Sequence, residues 1–178
     1  MFRPVVYYQD DPRWRDITYA TDGENSTIGT AGCGPTVMAM VLSTWCDSSV
    51  TPATEAAWAL SHGYKVFNQG TKYSYFEASA KRYNLTCKQL NYSSIYHLPD
   101  NNIHDQVKDA MNNGCLAIAC MGKGKWATTG HFVLVYKIED DTVYINDPAS
   151  SDLLRTAVNY TDFKNDVKHY FLINPLKI

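Results

Sequence analysis

Thr30-Ala31-Gly32-Cys33-Gly34-Pro35-Thr36 is the stretch on which the fold turns. After it, Val37, Met38, Val41, Leu42 and Trp45 recur at three- and four-residue spacing, the mark of one buried helical face. Pro35 suits a first helical turn, where its missing N–H is no loss. The sequence therefore predicts a helix that opens at Cys33, with a glycine on each side to let other groups approach its backbone. A helix N-terminus favours negative charge and so stabilises thiolate over thiol. In such a setting, or beside a histidine, the pKa of a cysteine falls from about 8.5 to roughly 3.5–7.5. Read alone, Cys33 is equally a small buried hydrophobe.

Outward from this helix, the chain predicts a second from Pro52 to His62, between Thr51 and Gly63. A third is predicted around Tyr73 to Tyr83 and a fourth from Ile103 to Asn113, stopping at Gly114. The second half changes character. Cys115 to Met121, Phe132 to Ile138, Thr142 to Asn146 and Tyr170 to Ile173 are short, β-branched or aromatic, and separated by Gly, Asp and Asn. Both alternating faces of Phe132-Val133-Leu134-Val135-Tyr136 are apolar, which predicts a central strand covered on both sides. Helices first and an antiparallel sheet afterwards make an α+β fold. No linker or repeat divides the 178 residues, so one domain over 1–178 is expected.

Composition narrows the function. Sixteen basic against eighteen acidic residues leave a net charge of -2, which argues against a nucleic-acid partner. No apolar run approaches the roughly 18 residues needed to span a bilayer, so no membrane insertion is expected. The start, Met1 to Tyr8, shows no signal peptide. The five cysteines, 33, 46, 87, 115 and 120, are odd in number and hold no C-x-x-C pair. They read as free thiols rather than a disulfide framework or a zinc site, and no metal or cofactor is expected. His62, His97, His104 and His169 read as surface histidines without metal-ligand spacing. Met121-Gly122-Lys123-Gly124-Lys125 reads as a flexible glycine-rich hairpin leading to His131 and forming one rim of a cleft.

Two further segments carry chemistry. Gly130-His131-Phe132-Val133 opens the predicted central strand, and Ile145-Asn146-Asp147-Pro148 closes the next one. Either residue alone reads as a solvated strand end. A hairpin centred on Glu139 or Asp140 opposes odd-numbered residues to odd-numbered ones and puts His131 and Asp147 on one face. A two-residue turn at Asp140-Asp141 would separate them. Asn-Gly and Asp-Gly are absent there, so a three- or five-residue loop is expected. Together the pieces supply a thiol nucleophile, an imidazole base and a carboxylate that orients it, the parts of nucleophilic acyl transfer. Gln9 is the candidate oxyanion donor, paired with the Cys33 backbone N–H. Its plainer reading is a polar residue at a strand end.

Tyr8-Gln9-Asp10-Asp11-Pro12-Arg13-Trp14, Gly32-Cys33-Gly34-Pro35-Thr36, Gly130-His131-Phe132 and Asn146-Asp147-Pro148 resemble, in order, the motifs of the C39-like peptidases. These are papain-like cysteine peptidases related to the domains that cut double-glycine leaders from bacteriocin precursors. The resemblance implies a papain-like fold, with the nucleophile's helix packed on an antiparallel sheet that carries His and Asp. It implies Cys33 as nucleophile, His131 as general base and acid, Asp147 as orienter and Gln9 as oxyanion donor. The substrate expected is a peptide, with cell-wall peptides cut by a phage-lysin-type or secreted catalytic domain as the first candidate, and the chain is expected to be a monomer. An acyl- or peptidyltransferase using the same acyl-enzyme, and a non-catalytic peptide-binding module, are the alternatives.

Overall fold

A computed structural model describes residues 2–90 and 98–175; His97 lies outside the described residues. In chain order the elements are α1 (Ile28–Ala31), α2 (Cys33–Trp45), α3 (Pro52–Ser61), α4 (Ser74–Lys81), β1 (Thr86–Gln89), α5 (Asn101–Asn112), β2 (Leu116–Met121), β3 (His131–Glu139), β4 (Thr142–Asn146), α6 (Leu153–Thr156), β5 (Ala157–Asn159), α7 (Tyr160–Asp166) and β6 (Val167–Asn174). The six strands form one antiparallel sheet in the order β1-β6-β2-β3-β4-β5.

The apolar periodicity after Cys33 buries α2 almost entirely. Val37, Met38, Val41 and Leu42 pack with Ile118, Phe132, Leu134 and Phe171 from one face of the sheet. The other face carries Ala117, Ala119, Val133 and Val135, covered by Val107 of α5 and Phe163 of α7. This double cover explains why the central strand is apolar on both alternations. It also buries Phe132 to Val135, the part of β3 that directly follows His131.

Helix ends follow the local chemistry. Thr51 caps α3 by accepting the Thr54 N–H, while Asn84 and Gly114 stand in the left-handed region beyond α4 and α5, at φ 58° and 99°. Three features depart from the expectations. The edge strand β1, the short strand β5 and helices α6 and α7 have too few residues to show a periodicity. Residues 5–8 form no strand, so Gln9 does not close one. His104 is 3% exposed rather than on the surface, with Nδ1 2.8 Å from the Tyr170 hydroxyl.

The hairpin that sets the site also corrects an expectation. Glu139 faces Thr142, so the turn has two residues, Asp140 and Asp141, with Asp140 at φ 53°. On its own that register would put His131 and Asp147 on opposite faces. A bulge between Val135 and Lys137 leaves Tyr136 without a partner across the ladder and shifts the pairing by one, to Leu134 opposite Asn146. The bulge returns Asp147 to the side of His131, so the two meet by a route other than the expected longer loop.

Candidate active site

Cys33 occupies the first position of α2, with Gly32 as the N-cap. A Cβ on Gly32 would stand 2.6 Å from the Ile28 carbonyl oxygen, so only glycine lets α1 run into α2 this tightly. The His131 side chain and the backbone amides of Phe132 and Gly34 favour the charged form of the Cys33 thiol. Burial alone would push this thiol up. The His131 hydrogen bond and positive charge, with those two amides, outweigh burial and hold it below the ordinary cysteine value.

His131, the first residue of β3, sets Nε2 2.7 Å from Asp147 Oδ1. That leaves Nδ1 as the ring nitrogen able to exchange a proton with Cys33. Burial disfavours the imidazolium, but the Asp147 hydrogen bond and the Cys33 thiolate reverse this and raise its pKa to about 9. Asp147 itself is 1% exposed. Burial would raise its carboxyl, yet the His131 hydrogen bond and charge, the Ala149 N–H and the nearby Arg155 hold it below the usual carboxylate range. The two shifts run toward each other: the Cys33 thiol is drawn down and the His131 imidazole up, each favouring the charged form of its neighbour.

Gln9 is held from both sides. Its backbone N–H donates to the Pro148 carbonyl at 2.9 Å, and its Nε2 donates to the Gly29 carbonyl at 3.0 Å. Gly29 lies in α1, four residues before Cys33. Turning the amide over would set Oε1 against that carbonyl oxygen, so the NH2 group is fixed toward the helix start. One of its two N–H bonds is used by Gly29. Gln9 Oε1 is buried with no hydrogen-bond partner among the described residues. The four residues singled out from sequence are thus placed as follows: His131 is bonded to Asp147 and lines one cavity with Cys33, and Gln9 docks on the turn leading into Cys33.

A groove crosses this chain at Cys33. One side is a cavity of about 380 Å³ lined largely by polar groups, among them Asn25, Ser26, Thr30 and Gln69. The other, about 450 Å³, is walled by Tyr73, Cys120, Phe132 and His131. Asn68, Gln69 and Gly70 form one lip of both and Thr129 and Gly130 the other. The rim therefore falls later than expected, and Gly122 and Gly124 do not line it. They are pinned instead: the Gly122 N–H donates to the Asp166 carbonyl at 2.7 Å, and the Lys125 N–H to Asp166 Oδ2 at 2.9 Å.

The first lip is fixed by a buried ion pair. Lys65 Nζ donates to both Glu24 oxygens, at 2.8 and 3.0 Å, and to the carbonyls of Val66 and Gln69. The sequence held no hint of Lys65, since a lone lysine between Tyr and Val carries no motif. It held none of Arg155 either, whose Nε donates to Asp147 Oδ2 at 2.8 Å. None of the five cysteines is in a disulfide, and among the described residues no group of three His, Cys, Asp or Glu is arranged to hold a metal ion. No helix among the described residues is long and apolar enough to cross a membrane.

Residues 7–173 match the Peptidase_C39 like family. Three solved structures share the fold. A double glycine motif protease from an AMS/PCAT transporter, solved with its leader peptide, superposes with a TM-score of 0.56 at 17% identity, covering 99% of this chain and 100% of the other. The peptidase domain of Streptococcus ComA, a bi-functional ABC transporter involved in quorum sensing, gives 0.59 at 21% identity over 83% and 93%. A Bacillus anthracis protein described as a C39-like peptidase gives 0.60 at 14% identity over 99% and 100%. No curated protein matches the sequence significantly.

Proposed function

The chain belongs to the Peptidase C39-like family, and from that premise we propose that it is a cysteine peptidase acting through a thioester acyl-enzyme. The observation that carries this reading is a placement: Cys33 at the start of α2 and His131 at the start of β3 line one groove, with His131 Nε2 2.7 Å from Asp147 Oδ1, and each draws the other toward thiolate and imidazolium.

The steps follow from the geometry. The Cys33 thiolate attacks the carbonyl carbon of a peptide or isopeptide bond. Negative charge moves to the carbonyl oxygen, where the Cys33 backbone N–H and the second N–H of Gln9 Nε2 receive it. As the C–N bond breaks, the His131 imidazolium gives its proton to the leaving amine. Neutral His131 then takes a proton from water, whose hydroxyl attacks the thioester. The acid departs, and the thiolate and imidazolium are restored. Asp147 keeps Nε2 occupied throughout, so that Nδ1 faces the chemistry.

The substrate is a peptide laid across Cys33 between the two lips. The leader-bound relative makes a double-glycine peptide one substrate to assay, and short cell-wall peptides are the other. The reading is tested without a known substrate by alkylating the protein with iodoacetamide between about pH 4 and 9 and mapping the modified cysteine. Cys87, Cys115 and Cys120, whose thiols burial pushes up, are internal standards. Cys33 is expected to react selectively well below pH 8, and the selectivity to disappear in His131→Ala. Cys33→Ala is expected to abolish all peptide cleavage. Reaction of Cys33 no faster than the three standards would overturn the assignment.

A further inference from the structure

We propose that Arg155 is a positioning residue for this site, a guanidinium that fixes the Asp147 carboxylate and ties it to the wall of the groove. This rests on the roles given above to Cys33, His131 and Asp147.

The two carboxylate oxygens of Asp147 are divided between two jobs. Oδ1 accepts from His131 Nε2 at 2.7 Å and from the Ala149 N–H at 2.8 Å. Oδ2 accepts from Arg155 Nε at 2.8 Å, with Nη2 in ion-pair contact at 2.7 Å. With Oδ2 held by the guanidinium, the carboxylate is kept from rotating, and Oδ1 stays on the imidazole.

Arg155 reaches further. Its Nη2 also donates to the Trp126 carbonyl at 3.1 Å, and Trp126 Nε1 donates back to the Arg155 carbonyl at 2.9 Å. Trp126 is 3% exposed and stands edge-on to Phe163 with ring centroids 5.9 Å apart, so this clasp is anchored in the second core. Three and four residues beyond Trp126 come Thr129 and Gly130, which line the groove beside Cys33. One planar fork therefore links the orienting carboxylate to the segment that shapes the site. A lysine, with one Nζ, cannot hold both acceptors with the same geometry. The short helix α6 presents the fork, started by the Asp152 side chain accepting the Leu154 N–H at 2.9 Å.

The placement has an electrostatic signature. Removing a positive charge from the far side of Asp147 disfavours the Cys33 thiolate and favours the His131 imidazolium. Both limbs of the Cys33 alkylation profile then move to higher pH. In Arg155→Met, alkylation on the acid limb, near about pH 5, is expected to slow by about 3–10-fold, since one pKa unit is tenfold in thiolate there. Arg155→Lys, which returns the charge, is expected to recover most of the profile. Thermal melting and the labelling of the other thiols establish that each variant is folded. Should Arg155→Met not fold, Arg155→Gln keeps a donor for Oδ2 while lacking the charge, and is expected to shift the limb in the same direction. A folded Arg155→Met or Arg155→Gln with the wild-type profile would reduce Arg155 to packing and overturn the proposal. Failure of the underlying reading is separately visible, because it shows in the wild-type protein alone as an unreactive Cys33.

Discussion

Asp147 and Glu55 are near twins in their surroundings. Each is 1% exposed, and each is ringed by hydrogen-bond donors that include an arginine. Glu55 accepts from the Tyr75 hydroxyl at 2.7 Å, Ser79 Oγ at 2.6 Å and Arg82 Nη1 at 2.9 and 3.1 Å. Neither burial nor saturation separates a site from a structural knot. What differs is the far side of one donor. Tyr75 and Ser79 are wholly buried and end their chain of bonds at Glu55, whereas His131 has a second nitrogen that meets Cys33 at the floor of an open groove. Function sits where a saturated network ends in a proton that can leave.

Removing each carboxylate turns this contrast into a measurement. Asp147→Ala frees His131 to rotate and lose its charge, and is expected to slow acylation by about 10²–10⁴-fold, the range of a positioned acid–base group. Glu55→Ala strands the Tyr75 and Ser79 hydroxyls between α3 and α4. It is expected to lower unfolding free energy by about 1–3 kcal/mol and leave the pH profile of Cys33 alkylation unchanged. Denaturant melts and alkylation rates on both variants read the two effects independently. A Glu55→Ala protein with a shifted alkylation profile would erase the distinction.

Gln9 offers a sharper version, because one N–H of its amide is held by a structural partner while the other is the proposed oxyanion donor. Gln9→Ala removes the bond to the Gly29 carbonyl together with the free N–H. Loss of one oxyanion donor costs about 10²–10³-fold in rate, and that is the expected fall in peptide turnover. Alkylation of Cys33 by iodoacetamide builds no oxyanion, so its rate is expected to stay at the wild-type value. If alkylation falls along with turnover, Gln9 acts by holding the α1–α2 turn in place.

How far all this was legible follows from range. The helix from Cys33 and the strands from Leu116 and His131 announce themselves because their apolar spacing is local and their cores large. Cys33, His131, Asp147 and Gln9 were readable because each sits at a punctuated element end or turn. The bulge at Tyr136 was not, since it corrects a turn whose residues, Asp140-Asp141, carry no strong register signal. Nor were Arg155 and Lys65. Each acts through the distance chain closure brings it, one to a carboxylate eight residues back, the other to a carboxylate forty-one residues away.

The contrast extends to the two buried histidines, where the expected effect is smallest in rate and clearest in sign. His131 is raised to about 9, while burial and then Lys164 bring His104 down to about 4. At neutral pH one is imidazolium and the other neutral, and NMR titration of the imidazole protons should show two midpoints on opposite sides of 6.5. The stability consequences run in opposite directions. His104, depressed in the folded state, supplies stability that is present above 6.5 and lost as pH falls through about 4. His131, raised, supplies stability that is full below 6.5 and lost as pH rises through about 9. Cys33, held low, contributes the opposite slope below its ordinary value and offsets part of the His131 loss. The acid-side decline belongs to His104 and Asp147. In Cys33→Ala the thiolate is gone and the His131 midpoint moves down from about 9, with His104 unmoved. A His131 midpoint unchanged by the loss of Cys33 would mean that Asp147 alone sets its charge, and the proposed coupling of thiol and imidazole would fall.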